Sequence, residues 1–393
     1  MNNKRDSEFL RYLVAPSLAL ISAPLLANGL GASGRGVYSS IVNLVLFMAI
    51  AFGVGLDLLL ASEQNVKHEL SIVPSILKKY SYYLQIIPLL SSFIVINLFY
   101  GEYLNVLEIF FISLTLPILI VFNLTASYAR HSRNLRMLGV IQSHAAVVRT
   151  IFIFSLFALG VLNLASVVIL TFFANIFPLI NIFKGKQFLR VFKGSRQSEY
   201  CGPRMNQGFK VLPASLLTIA TYRLDQILGI FIIGESQLGI YAVAVSICEI
   251  PILLVRSYKD GLYRLEEHKV KQIIKKAMSR ILILLLMIAF ALPFFFNFVL
   301  SPEYKEGLIV AEAMLVVIFV QALFELNSMH LIRRNKFNQI IMLQMTYLFI
   351  TFGIAILVKS FGAMSFVFGN LLGYTFALLF LLKLKGSSDS NEK

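Results

Sequence analysis

Two arginines interrupt long apolar stretches of this chain and are candidates for contacting a substrate. Arg149 and Arg223 are each flanked by hydrophobic residues on both sides. A charge at the centre of a membrane span costs about 2.5 to 3.5 kcal/mol on insertion scales, so charged side chains are rare there and are candidates for function. Two arginines buried in helices exceed what packing requires, so we expect them to contact a substrate.

Other polar residues in the same apolar stretches are candidates for lining a cavity or for coupling transport to an ion. They are Gln142, Tyr222, Asp225, Glu249 and Glu325. Gln142 precedes Arg149 by seven residues, or two helical turns, so both lie on one helix face. Arg223 and Asp225 are two residues apart, about 200° around a helix, so neither neutralises the other well. Each of these two charges needs another partner.

A structural role is the alternative for several of these charges. Arg149 could pair with Glu249 or Glu325 as a bridge between helices. Asp225 could serve only to compensate a nearby arginine, since an unpaired charge inside a membrane protein is costly. The spacing of the residues does not decide between these two interpretations.

Motifs of catalysis and nucleotide binding are missing from the sequence. The five His residues form no paired motif, and there is neither a Gly-Lys-Ser/Thr phosphate loop nor a Gly-x-Ser-x-Gly elbow. The spacing of Cys201 and Cys248 does not match that of any metal site. We therefore expect a protein that is not an enzyme and that uses no cofactor and no metal.

The composition indicates an integral membrane protein that positions these residues on transmembrane helices. Hydrophobic residues make up 58% of the 393-residue chain, charged residues only 14%, and the mean hydropathy is +0.79. Apolar windows long enough to cross a bilayer as helices predict twelve spans in two groups of six. They lie near 9–29, 37–60, 81–100, 104–127, 138–160 and 165–183, then near 209–233, 239–258, 279–300, 307–327, 337–358 and 362–384. The predicted domains are an N-terminal six-helix lobe at 1–183, a basic cytoplasmic linker at 184–208, a C-terminal six-helix lobe at 209–384 and a cytoplasmic tail at 385–393.

An internal repeat relates the two groups of helices. The segments Gly31–Tyr38 and Gly234–Tyr241 share a pattern of Gly, Ser, Gly and Tyr at one constant offset, and the same offset matches Asp57 to Asp260. Each segment joins one apolar window to the next, and six windows separate equivalent points. The repeat therefore predicts two lobes of parallel orientation, as in two-lobed transporters.

The distribution of Lys and Arg predicts the orientation of the chain. If the N-terminus is cytoplasmic, nearly all of these residues fall in the tails and inner loops, whereas Arg35, Lys305 and Lys359 fall outside. This bias follows the positive-inside rule, predicts that both termini are cytoplasmic and argues against nucleic-acid binding. Arg35 is expected to be an anchor that snorkels to the interface. Tyr38 and Tyr241 are expected to be interfacial or packing residues.

Three segments of the chain resemble the polysaccharide transporters, especially the O-antigen flippases. The segments are Tyr222–Gly229, Leu238–Ser246 and Glu249–Pro251, which are similar to the seventh and eighth helices of that family, and Gly36-Val37-Tyr38 matches its first repeat. The family belongs to the multidrug, oligosaccharidyl-lipid and polysaccharide (MOP) exporter superfamily.

This resemblance implies a fold, a substrate and partners. The fold is MATE-like, and the activity is movement of an undecaprenyl-diphosphate-linked oligosaccharide from the cytoplasmic to the periplasmic leaflet of the bacterial inner membrane, in O-antigen, lipopolysaccharide or capsule biosynthesis. Membrane lipid and possible polymerase and chain-length proteins are the implied partners. The family's Arg-x-Asp pattern carries over onto Arg223 and Asp225, and the family gives Arg149 only the general expectation of basic residues lining the cavity.

Two other functions stay open at this stage. A multidrug or other small-molecule antiporter of the same superfamily shares the repeat, although cationic substrates favour a cavity dominated by acids. A membrane-embedded glycan polymerase or acyltransferase is the alternative from the enzyme class, although such enzymes usually need a large external loop or paired His and acidic residues.

Overall fold

A computed structural model describes residues 2–56, 82–131, 135–184, 201–262, 267–333 and 336–390 of the chain. Within these ranges the regular structure is entirely helical, which confirms the predicted all-α fold class. The α-helices are α1 (Asn2–Phe52), α2 (Ile87–Tyr100), α3 (Val106–His131), α4 (Leu135–Ala158), α5 (Leu164–Lys184), α6 (Cys201–Ile233), α7 (Glu235–Cys248), α8 (Ile250–Leu262), α9 (Glu267–Phe294), α10 (Gly307–Arg333), α11 (Phe337–Leu357) and α12 (Met364–Ser390). Short π-helical turns at Tyr82–Ile86 and Phe295–Val299 adjoin α2 and α9.

The described helices correspond to the twelve spans that the sequence predicts. Eight helical stretches are long and apolar enough to cross a membrane, and three shorter apolar helices accompany them. Helix α1 contains the first two spans, which meet at a kink where Gly31 has φ 66° and ψ 176°. The eighth span is divided into α7 and α8. Asp57 and residues 185–200 of the predicted linker lie outside the described residues, as does the side chain of Asp260.

The chain divides into two compact units. The first contains Met1–Gly29 and Ile41–Ile219. In this unit α3 packs against α2 and α5, and α4 packs against α5. Phe111 meets Phe172 with ring centroids 5.4 Å apart, and the Thr150 hydroxyl donates a hydrogen bond to the Leu18 carbonyl at 3.3 Å. These contacts join α1, α3, α4 and α5 into one helical body.

The second unit contains Leu30–Ser40 and Ala220–Lys393. Helix α12 packs along α10 and α11, and α10 also contacts α7, α8 and α9. The approach of α11 to α12 is close because Gly369 and Gly373 place no side chain toward Thr351. The Thr351 hydroxyl donates a hydrogen bond to the Gly369 carbonyl at 3.2 Å. Two small residues on one helix face permit such close packing in membrane proteins.

Backbone conformation supports the internal repeat seen in the sequence. Gly234, the equivalent of Gly31, has φ 82° and ψ 165°, a conformation open to glycine and strained for other residues. The two repeated segments also cross each other in close contact. A Cβ on Gly36 would overlap the carbonyl oxygen of Glu235, and a Cβ on Gly239 would overlap the carbonyl oxygen of Ala32. Since Gly36 is equivalent to Gly239 and Ala32 to Glu235, this crossing is reciprocal.

Candidate functional site

Arg223 and Glu249 form an ion pair in the second unit. The guanidinium donates from Nη2 to Oε2 at 3.3 Å and from Nη1 to Oε1 at 3.5 Å, in a side-on, two-point geometry. Both distances are long for charge-assisted hydrogen bonds, which are usually about 2.7 to 2.9 Å. The relative exposure of each side chain is 22%, so neither charge is fully buried by the protein. Glu249, which the sequence analysis considered as a partner of Arg149, lies beside Arg223.

The sequence explains why Glu249 lies at a break in a helix. Pro251 has no backbone N–H to continue the hydrogen bonds of α7, whereas a proline fits the first turn of a new helix. Helix α7 accordingly ends at Cys248, and α8 begins at Ile250 with Pro251 in its first turn. The Glu249 carboxylate is therefore presented at the junction of α7 and α8, where it meets Arg223 on α6.

Asp225 belongs to a separate, buried hydrogen-bond network. Its carboxylate accepts hydrogen bonds from the Tyr241 hydroxyl, from the Gln226 backbone N–H at 2.8 Å and from the Asn370 side-chain amide at 3.4 Å. The Asn370 amide also donates to the Tyr241 hydroxyl at 2.8 Å, and the Tyr347 hydroxyl donates to the Asn370 carbonyl at 2.5 Å. Asp225 is 9% exposed. Three donors converge on this carboxylate, which matches the acceptor capacity of its ionised form.

The network extends along α6 to the segment that follows the kink of α1. The Ser39 hydroxyl donates to the Gln226 side-chain carbonyl at 2.6 Å, and the Ser40 hydroxyl donates to the Ile227 carbonyl at 2.9 Å. A buried polar network in which members satisfy one another fixes the relative positions of the helices that contribute to it. Asp225 therefore organises the helices of the second unit, which favours the structural interpretation of its charge.

Glu325 and Tyr222 occupy different environments in the same unit. Glu325 on α10 is 4% exposed, and its carboxylate accepts a hydrogen bond from the Gln321 side-chain amide at 3.1 Å. The Ser328 hydroxyl donates to the Glu325 backbone carbonyl at 3.0 Å. Tyr222 on α6 is half-buried.

Arg149 lies on α4 of the first unit and is half-buried. Gln142 lies on the same helix two turns earlier, but its side chain is outside the described part of the structure. The hypothesis that Arg149 and Arg223 bind one headgroup stays a prediction, because the two arginines belong to different units.

Arg35 is a buried cation that the sequence interpretation placed at the interface. It is 7% exposed, its Nη2 donates to the Ser246 hydroxyl at 3.2 Å, and its guanidinium lies 5.8 Å from the ring centre of Tyr38. Arg35 also interacts electrostatically with Tyr304, which lies in the turn between α9 and α10, outside the spans. Burial raises the pKa of Tyr304, and the nearby Arg35 charge partly opposes that increase. The expected snorkelling anchor is thus a residue of the interior, and its place inside the Gly31–Tyr38 repeat was the available signal.

The described residues contain no cluster of three His, Cys, Asp or Glu side chains arranged to hold a metal ion.

No protein-family model matches the chain, and no curated protein matches it. Solved structures do match. An inward-facing multidrug resistance MATE family transporter of the MOP superfamily is 12% identical with a TM-score of 0.68, and the match covers 98% of this chain and 100% of that one.

Two further structures, a multidrug transporter and a lipid flippase, give the same result. The MATE multidrug transporter DinF-BH is 13% identical with a TM-score of 0.70, and the match covers 96% of this chain and 94% of that one. The lipid II flippase MurJ in an inward closed conformation is 12% identical with a TM-score of 0.68, covering 96% of this chain and 87% of that one. The chain therefore has the fold that MATE transporters and MurJ share. The expected MATE-like architecture is confirmed, and the resemblance to the polysaccharide branch stays a prediction.

Proposed function

We propose that this protein is a flippase that moves an undecaprenyl-diphosphate-linked oligosaccharide, an O-antigen or capsule repeat unit, across the bacterial inner membrane by alternating access. The observation that carries the proposal is the accessible ion pair of Arg223 with Glu249 inside a membrane helix bundle. Arg223 binds the diphosphate in this proposal, and Arg149 contributes a second cation. The protein performs no covalent chemistry on the substrate.

The ion pair supports this role because it holds Arg223 weakly. The contacts of this pair are 3.3 to 3.5 Å long and about a fifth of each side chain is accessible, so the pair is looser than a tight buried salt bridge. A diphosphate offers more oxygens and more charge than one carboxylate, and a guanidinium binds such groups with two parallel hydrogen bonds. Replacement of Glu249 by the substrate headgroup as the partner of Arg223 therefore costs little free energy. Glu249 keeps Arg223 neutralised while no headgroup is bound.

The test is complementation of a bacterial strain that lacks its own flippase for the same lipid-linked glycan. Arg223→Ala should reduce polymer export to less than a tenth, and Arg223→Lys should restore only part of it because a lysine ammonium lacks the planar fork. Lys359→Gln is the matched control, since it removes an exposed cation. Membrane amounts of all variants must be equal. Full export by the Arg223→Ala protein would exclude Arg223 from the mechanism.

Transport of a small cationic molecule is the second candidate. It is favoured by the buried acids Asp225 and Glu325 and by the MATE multidrug transporters among the structures with this fold. Uptake of a fluorescent cationic dye into inverted vesicles distinguishes the two functions. The flippase proposal predicts no dye transport and predicts flipping of a fluorescent lipid-linked glycan in proteoliposomes.

The setting proposed for the protein follows from this function. Both termini are cytoplasmic in the proposal, and polysaccharide polymerase and chain-length proteins act on the flipped product. Accessibility labelling of cysteines introduced near the two termini in intact cells tests the orientation. Labelling of either terminus from outside would contradict it.

A further inference from the structure

Three cations line a surface cavity at the start of α9. The cavity has a volume of about 470 Å³, and its lining residues are Gln272, Lys275, Lys276, Ser279 and Arg280. Their spacing of three or four residues places them along one face of the helix. The side chains of Lys275, Lys276 and Arg280 are all exposed. This group of five residues is called the α9 basic pocket below.

The length of the membrane span puts this pocket at the level of lipid headgroups. The apolar stretch Gln272–Val299 has 28 residues. At 1.5 Å per residue such a helix is about 42 Å long, compared with about 30 Å for the hydrocarbon core of a bilayer. The charged side chains of this stretch all precede Ile281, and the uncharged remainder from Ile281 to Val299 is about 28 Å long, close to the thickness of the hydrocarbon core. The α9 basic pocket lies at the charged end, which the distribution of Lys and Arg predicts to be cytoplasmic.

An exposed apolar face continues from the pocket along the same helix. The exposed fractions are 59% for Ile283, 64% for Leu286 and 91% for Phe290, and the spacing of these residues continues the face that carries Lys276 and Ser279. Phe290 lies about 15 Å along the helix axis from Arg280, which is the thickness of one leaflet of hydrocarbon. A cationic pocket thus sits directly above one leaflet length of lipid-facing helix.

A hydrogen bond holds Arg280 in place, and the two lysines add further positive charge. Its Nη1 donates a hydrogen bond to the Tyr258 hydroxyl of α8 at 2.6 Å, which leaves most of the five N–H donors of a guanidinium for another acceptor. Within the part of the chain that the structure describes, no acid pairs with these lysines, so the charge of the pocket is complementary to an anion.

We propose that the α9 basic pocket binds the phosphate headgroup of an anionic glycerophospholipid. The phosphate contacts Lys276, Ser279 and Arg280, and an acyl chain lies along Ile283 and Phe290. The part of the apolar face between Arg280 and Phe290 has the length of one leaflet, which suits an acyl chain. Binding at this pocket is independent of the flipping proposed above.

A single tryptophan reporter can test this assignment. The sequence contains no Trp, so Phe290→Trp creates one fluorophore at a position that is already 91% exposed. The full-length protein is reconstituted in phosphatidylcholine containing a small fraction of phosphatidylglycerol, with either lipid brominated on its acyl chains. Brominated phosphatidylglycerol should quench the fluorescence more than its mole fraction predicts, whereas equal quenching by the two lipids at equal mole fraction would overturn the proposal.

Two double variants in this reporter background locate the site. Lys275→Gln with Lys276→Gln should reduce the preference for phosphatidylglycerol about twenty-five-fold, since each cation near anionic headgroups gives about a fivefold preference. Lys210→Gln with Lys383→Gln removes two exposed cations elsewhere and should leave the preference unchanged. A preference that survives the first double variant, or that is lost equally in the second, would contradict the site.

Two solution conditions complete the test. Raising the salt concentration should weaken the preference of the unmodified reporter, because screening shortens the range of its electrostatic attraction. Unlabelled undecaprenyl diphosphate at equal mole fraction should leave the quenching by brominated phosphatidylglycerol unchanged. Displacement would assign the pocket to the polyprenyl carrier, and salt-independent quenching would assign the preference to the acyl chains; either result overturns the proposal.

Discussion

Replacing Gly239 by alanine should destabilise the second unit of the protein, because the new Cβ would overlap the backbone carbonyl of Ala32. The obstacle is backbone, so a change of rotamer cannot relieve it, and the crossing segments must separate. Overpacking typically costs about 1 to 3 kcal/mol, and a clash with backbone belongs in the upper half of that range. A helical Gly→Ala change returns about 0.5 to 1 kcal/mol of chain entropy. The expected net loss is about 1 to 2.5 kcal/mol.

Gly353 on α11 provides a matched control for this change. No atom lies within 4 Å of a Cβ built at that position, and the glycine is exposed within a helix. Gly353→Ala should therefore stabilise the protein by about 0.5 to 1 kcal/mol. The two substitutions are chemically identical and should have opposite signs. Gly36→Ala should resemble Gly239→Ala, because its Cβ would meet the carbonyl of Glu235.

The assay is thermal unfolding of the purified full-length variants in detergent, followed by the fraction that remains monodisperse on size-exclusion chromatography. The unfolding midpoint should decrease for Gly36→Ala and Gly239→Ala and should increase slightly for Gly353→Ala. Midpoints that shift together, with the same sign and size for all three, would refute the inference that the repeats cross with backbone in contact.

Three other results are expected from the same method. Asp225→Ala should cost about 2 to 4 kcal/mol, because it leaves the Tyr241 hydroxyl and the Asn370 amide without their acceptor; an unchanged midpoint would show that the network is absent. Asp225→Ala and Tyr241→Phe should be non-additive by at least about 0.5 kcal/mol, and simple addition of their costs would argue against a direct hydrogen bond. Burial raises the pKa of Tyr304 above the ordinary 10.0, so the unfolded chain loses this proton first and stability decreases as the pH rises above 10. Tyr304→Phe should lose less stability than the unmodified protein above pH 10, and equal losses would contradict the burial effect.

The contacts of the candidate residues show which partners could be predicted from the sequence and which could not. The two-residue spacing of Arg223 and Asp225 predicted that each needs a different partner, and the structure gives them different partners. The spacing did not identify Glu249 as the partner of Arg223, because that contact depends on how α6 packs beside the break between α7 and α8. Asn370 had no signal in the sequence as a partner of Asp225. It lies on the last helix, and only packing brings it to α6.

Arg35 shows the same limit for burial. Its position near the end of an apolar window predicted an anchor at the membrane surface. The kink at Gly31 instead turns the chain so that the following segment packs into the second unit, where Arg35 meets Ser246. Window positions measure distance along the chain, whereas burial depends on which segments are neighbours in space.

The sequence by itself determined that this protein lies in a lipid bilayer, that it is helical and that its two halves are duplicated. Apolar windows of bilayer length can satisfy their backbone hydrogen bonds only as helices in lipid, and an offset shared by two Gly-containing segments is visible without coordinates. Tertiary structure alone decided which charges meet. A polar side chain in a membrane span needs a partner, but the partner is supplied by whichever helix packs beside it, and that choice depends on the shapes of whole helix faces.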